Sequence, residues 1–187
     1  MKKRLSLLVF LAAGVLAGAQ AATYQGVTLP DTATLGGKTL VLNGMGLREY
    51  FIFDVYVGGL YLPQKATTPE AVLAEQGPYR VVMVMKRDVS RKQFVGAWRG
   101  DLKANNKSDY SKLEPQVAQF TKLFDAAKSG DDITMDYVPG KGVSVTHNGK
   151  LMGTVSGNNF HEALLRVYVG PHPPTATLKK GLLGAHG

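Results

Sequence analysis

The sequence predicts an α+β fold, with helices packed on one large antiparallel sheet. Three observations carry that prediction. Short extended segments open the chain, two amphipathic helical stretches follow, and a run of alternating apolar residues then leads to a last helix. Strands and helices therefore come in blocks, the order expected of helices laid on an antiparallel sheet. Asn148-Gly149, between two alternating segments, is a strong hairpin signal. The chain has no internal repeat and no linker-like stretch, so after its leader it reads as one domain.

The leader is set aside first. Lys2, Lys3 and Arg4 precede a short apolar run, Leu5 to Leu16, and Ala19-Gln20-Ala21 fits the small-x-small cleavage rule. This reads as a secretory signal peptide, residues 1–21, cut after Ala21. The run is well short of the roughly 20 residues that span a bilayer, and no later segment is long and apolar enough to do so. The expected location is the periplasm, with residues 22–187 as the exported domain. Of the formal charge of +8, the three leader cations account for three, which leaves +5. That bias favours solubility and weak attraction to anionic surfaces, and it does not mark a nucleic-acid binder. The chain has no cysteine, so bridges and thiol chemistry are excluded.

The elements follow in order. Tyr24 to Arg48 divides into short extended pieces, with turns expected at Gly26, Pro30-Asp31, Gly36-Gly37 and Asn43-Gly44. GLREYFIFDVYVGGLYLP, Gly46 to Pro63, is a long strand or hairpin. Its apolar residues fall on both faces, as in a strand covered on both sides, and Gly58-Gly59 signals a bulge or a close approach. Thr67 to Gly77 is a short helix, with Thr68 as N-cap and Pro69 in the first position. Val81 to Met85 is a strand. Ser90 caps a helix whose apolar face is Phe94, Ala97, Trp98 and Leu102.

A second helix has Pro115 near its start. Its stripe is Val117, Phe120, Leu123, Phe124 and Ala127, and Gly130 ends it. Ile133, Met135 and Tyr137 alternate in the next strand, and Val143 and Val145 in the one after. The last helix turns Phe160, Ala163, Leu164, Val167 and Tyr168 inward. The Pro- and Gly-rich tail from Gly170 is expected to dock loosely or fray.

Most common chemistries find no support. The histidines, His147, His161, His172 and His186, show no i+3 or i+4 pairing, so neither a metal site nor any other cofactor is expected. Gly36-Gly37-Lys38-Thr39 resembles the end of a phosphate loop, but Thr32 stands where that motif needs glycine. No serine sits in a G-x-S-x-G elbow. Asp131-Asp132 reads as a helix-to-strand loop. Asn106-Lys107-Ser108 matches a short glycosylation pattern that is common by chance. The cationic run Lys86, Arg87, Arg91 and Lys92 reads either as a solvated loop or as a patch for an anionic partner or lipid headgroup. Trp98 reads as core or as the wall of an apolar pocket.

The Gly46–Pro63 stretch resembles the signature of the chalcone isomerase superfamily, in its bacterial exported branch. The shared pattern is Gly-x-Arg followed by an aromatic strand ending VYVxxLYL. SRKQF, the helix LEPQVAQFTKLFDAAKSGD, the strand DITMDYVPGKGVSVTHNGK and the helix FHEALLRVYVG then follow in the family's order. The resemblance covers roughly Val27 to Leu183 and implies an open-faced β-sandwich with helices on one face of its sheet.

The resemblance also implies a site. In plant chalcone isomerases an arginine stabilises a developing enolate, a threonine and a tyrosine order a water, and an asparagine and a Ser/Thr hold the far end of the substrate. Here those positions fall at Arg48, Tyr56, Phe94, Asp101 and Val167, and only Arg48 keeps the family's residue. Preorganised donors are worth roughly 2.7–4 kcal/mol each in a transition state. Losing the hydroxyls at Phe94 and Val167 therefore argues against efficient cyclisation. What survives is a guanidinium beside apolar walls, suited to an amphipathic anion such as a fatty acid. Related plastid proteins bind fatty acids, with the arginine and tyrosine on the carboxylate. A binding module of this kind predicts a cavity of roughly 300–1,000 Å³. An isomerase or lyase would have to use Tyr56 or Asp101. A structural or partner-binding protein would have a filled core and use the basic Lys86–Lys92 face, and a purely structural Arg48 would pair with Glu49, Asp54 or Asp101 to hold the strand in register.

Overall fold

The structure is a computed structural model that describes residues 20–157 and 159–185. Residues 1–19, most of the segment read as a leader, lie outside that range. Nine strands are described. β1 (Ala21–Tyr24) and β2 (Val27–Pro30) form a small hairpin, and the predicted cut after Ala21 falls inside β1. The other seven make one antiparallel sheet in chain order: β3 (Thr32–Leu35), β4 (Lys38–Tyr50), β5 (Phe53–Leu62), β6 (Tyr79–Met85), β7 (Asp132–Val138), β8 (Gly142–His147) and β9 (Lys150–Val155). The helices are α1 (Pro69–Leu73), α2 (Arg91–Asn105), α3 (Tyr110–Thr121), α4 (Phe160–Val169) and α5 (Ala176–Leu182). This is the predicted α+β open-faced sandwich. Among the described residues no helix is long and apolar enough to cross a membrane.

The two-sided burial read from Gly46–Pro63 is present. Tyr56, Leu60 and Leu62 of β5 join Tyr79, Val81 and Met83 of β6 in the core beneath the helices. On the opposite face Val57, Tyr61 and Val82 form a smaller cluster, which Val27 and Leu29 of the β1–β2 hairpin cover. The Tyr61 hydroxyl pins that hairpin by donating to the Pro30 carbonyl at 2.8 Å. Gly58-Gly59 marks a close approach and no bulge. A Cβ on Gly58 would meet Leu178 from one side, and one on Gly59 would meet Leu29 from the other.

Two bulges set the phase of β4 and β5. Leu42 pairs with Tyr61 and Gly44 with Leu60, which leaves Asn43 as an extra residue on β4. Arg48 pairs with Tyr56 and Glu49 with Asp54, which leaves Val55 extra on β5. An extra residue shifts the strand's alternation by one. Leu40 and Leu42 before the first bulge, and Met45 and Leu47 after it, therefore share the hairpin-covered face. Gly44, Gly46 and Arg48 fall on the helix side.

Three local expectations are corrected. Asn43-Gly44 is not a turn. Asn43 is 2% exposed, and its amide donates to the carbonyls of Ala66 (2.9 Å) and Leu182 (2.7 Å) and accepts from the Ala66 N–H (2.7 Å). Those buried bonds hold the pair inside β4. Secondly, α3 begins a turn before Pro115 and ends at Thr121. Phe124 and Ala127 are buried as read, but beyond the helix, because Ala127 exchanges both backbone hydrogen bonds with Val89 at 2.9 Å. Thirdly, the tail does not fray over its described residues, 170–185. Thr175 caps α5, and Leu178 and Leu182 are fully buried. Gly181 lies so close to β4 that an added Cβ would meet the Met45 carbonyl and come within 2.6 Å of Gly46 Cα. The sequon at Asn106, read as a chance match, is buried, and its amide donates to the carbonyls of Leu102 and Ala163.

Candidate functional site

The five positions taken from the resemblance converge. Arg48, Tyr56, Phe94, Asp101 and Val167 line one cavity, together with Met83, Ala97, Trp98 and Pro174. The Val55 bulge sets Arg48 directly across from Tyr56, and the guanidinium carbon lies 5.8 Å from the Tyr56 ring centroid. Phe94, Ala97, Trp98 and Asp101 come from a single face of α2, at the helical spacing i, i+3, i+4, i+7. The Ser90–Gln93 capping box fixes where that helix starts. Val167 comes from α4. Pro174 comes from the segment before α5, which the Thr175 hydroxyl ties to β4 by donating to the Leu47 carbonyl at 3.2 Å.

Arg48 is the unusual member. Its Nε is buried without a hydrogen-bond partner, and among the described residues its guanidinium has no ion pair within 4 Å. The pairing with Glu49, Asp54 or Asp101 that a purely structural Arg48 would make is absent among the described residues. Asp101 feels the charge only at longer range. Burial raises its carboxyl above the usual value, and Arg48 offsets part of that rise. Burial also pushes the Tyr56 phenol up to about 12, with opposing influences from Arg48 and Asp101 and a hydrogen-bonding contribution from Tyr168. The Tyr168 hydroxyl is held well above its usual range by burial. A phenol at about 12 is a poor proton acceptor at neutral pH.

The volume departs from expectation. The cavity holds about 20 Å³, the room of one water, and not the 300–1,000 Å³ expected. Side chains fill the space. Trp98 is 5% exposed and packs on Phe120, Phe124 and Tyr168, with ring centroids 5.0, 5.5 and 6.2 Å away. Trp98 is thus both core and wall. A larger concavity of about 570 Å³ lies between the β3–β4 turn and the residues around Gly77, remote from Arg48 and open to solvent.

Sequence reasoning did not place Met83 or Pro174 at the site. Met83 was legible only as an inward strand residue, and Pro174 lay in a tail read as loose. Ala97 and Trp98 shared the helical face of Phe94 and were within reach of the pattern. Among the described residues no group of three or more His, Cys, Asp or Glu could hold a metal.

Fold and site together define the class: an open-faced β-sandwich that turns one strand-borne cation toward its helical layer. A family model described as chalcone isomerase-like matches residues 21–184, and the chain belongs to that family. Among solved structures it is similar to a fatty-acid binding protein of Arabidopsis thaliana, at 17% identity and a TM-score of 0.66, with 88% of this chain and 96% of that one covered. No curated protein matches it.

Proposed function

We propose that this chain is a non-catalytic binding protein of the periplasm, which takes an amphipathic anionic small molecule of the fatty-acid type with its head group on Arg48. The observation that carries the reading is the partly buried guanidinium without a carboxylate partner. A buried charge is costly unless it is paired, and an arginine fork matches a carboxylate bidentately. Asp101 sits too far away to fill that role, and its raised pKa makes it the easier charge to lose when an anion arrives. The name of the Arabidopsis neighbour agrees with such a ligand. Entry of an acyl chain displaces side chains that now fill the site, and the unbranched Met83 is the most adaptable of them.

The test is extraction of the purified protein with organic solvent, followed by mass spectrometry of what is released. An anionic lipid in stoichiometric amount, lost from Arg48→Ala, is the expected result. Wild-type protein that releases nothing, with an Arg48→Ala variant altered only in stability, would sink the reading. The small cavity gives the partner-binding alternative its one specific support, and that second outcome would favour it. The catalytic alternative has only Tyr56 and Asp101 to work with.

A further inference from the structure

The turn joining β4 and β5 carries four large apolar residues in succession, and none of them is packed away. Tyr50, Phe51, Ile52 and Phe53 are 62, 84, 88 and 49% exposed. Surface apolar residues scattered singly need no explanation, but a contiguous patch does. The backbone strengthens the point. Phe51 has φ +54°, a left-handed conformation that glycine or asparagine takes readily and a bulky side chain does not. Its ring touches only the neighbouring Tyr50 ring among described aromatic contacts, edge-on at 4.7 Å. A phenylalanine therefore sits in an unfavourable turn position without burying itself in its own fold. An outlier of that kind points to something outside the chain.

A cation stands against the tip. The end of β6 is tied to the hairpin by the Lys86 N–H, which donates to the Val55 carbonyl at 2.9 Å. The Arg87 guanidinium carbon lies 4.4 Å from the Phe53 ring centroid. Arg91 and Lys92 follow in the first turn of α2 and are exposed. The acids nearby are Glu49, Asp54 and Asp88, and Asp88 is already paired with Lys128 at 2.7 Å. This end of the molecule thus carries an exposed apolar tip with Arg87 against it and further exposed cations, Arg91 and Lys92, close behind in sequence. A protrusion with that chemistry matches an anionic bilayer, where aromatic rings enter the interface and Lys and Arg meet the headgroups.

We propose that the β4–β5 hairpin tip docks the protein on anionic lipid bilayers, with Phe51 and Ile52 inserted among the lipids and Arg87, Arg91 and Lys92 on the headgroups. This does not depend on what the Arg48 cavity binds.

The experiment is vesicle flotation on phosphatidylcholine with and without phosphatidylglycerol, comparing the wild type with Phe51→Asn/Ile52→Ser. Any leader that remains is common to both proteins, so the difference reads the tip. Asparagine suits the left-handed position, so the variant should melt no lower than the wild type. The expected result is flotation of the wild type on the anionic vesicles only, weakened by salt and reduced roughly tenfold or more in the tip variant. Arg87→Glu/Arg91→Glu should weaken it as well. The proposal is overturned if the wild type does not float, floats equally on neutral vesicles, or is matched by the tip variant. A tip-dependent dimer in solution without vesicle binding would also overturn it, by making a second copy of the chain the occupant.

Discussion

At the residue scale the site is an electrostatic arrangement around a space of about 20 Å³. Arg48 and Asp101 line the same cavity without touching, and burial holds the Asp101 carboxyl above its usual pKa. A folded pKa above the unfolded one means that ionising Asp101 costs stability. The penalty is absent while the group is protonated in both states and grows as pH rises through the folded value. Asp101→Asn is therefore expected to raise the unfolding midpoint at pH 7, with the gain shrinking to nothing as pH falls below the normal aspartate range near 3.9. Urea denaturation at both pH values checks this, and an Asn variant less stable at pH 7 would contradict it. The identity of these residues was legible from the Gly-x-Arg signature and from one helical face. The cavity's volume was not. Volume depends on how Trp98, Phe120 and Phe124 interlock, and no strand or helix period encodes that.

At the element scale β4 does most of the organising. One of its faces meets the β1–β2 cover, and the other meets α5 with backbone against backbone. Gly181→Ala would drive a methyl into the Met45 carbonyl and Gly46. Overpacking of that kind costs about 1–3 kcal/mol, occasionally more. A loss of about 2–3 kcal/mol in chemical denaturation is expected, and a change within experimental error would show that α5 yields easily. The outline of the elements was readable because Thr68, Ser90 and Asn148-Gly149 are local signals with local consequences. Asn43-Gly44 was misread because that pair serves a hairpin turn and a buried bulge equally well. Its partners, Ala66 and Leu182, lie 23 and 139 residues away. The tail was misread for a related reason. Pro and Gly spell a loose segment unless Gly44 and Gly46, two apart on one strand face, are seen as a seat for Gly181.

At the scale of the whole molecule the sheet separates two unequal cores. The helical side holds the large one. The far side depends on a hairpin of eight strand residues to cover Val57, Tyr61 and Val82. Burying a side chain such as Val27 or Leu29 contributes roughly 1.5–3 kcal/mol each. Val27→Ser/Leu29→Ser is expected to cost about 3 kcal/mol or more, and to expose enough apolar surface to bind a hydrophobic dye while the far-UV circular dichroism stays largely native. Unchanged stability and no dye binding would show that the hairpin is ornament and not cover.

The seating of α5 on β4 also fixes when the fold can close. Asn43 and Gly44 lie near the start of the domain, while Leu182 and Gly181, which complete them, are among its last residues. Contacts of such sequence separation raise the contact order and slow folding, because loop entropy is lost before the contacts reward it. A growing chain cannot cover the glycine face of β4 until α5 has been made, or set the Pro174 wall of the Arg48 cavity until the segment before α5 has. The glycine face of β4 thus stays open while the 139 residues that separate Asn43 from Leu182 are added.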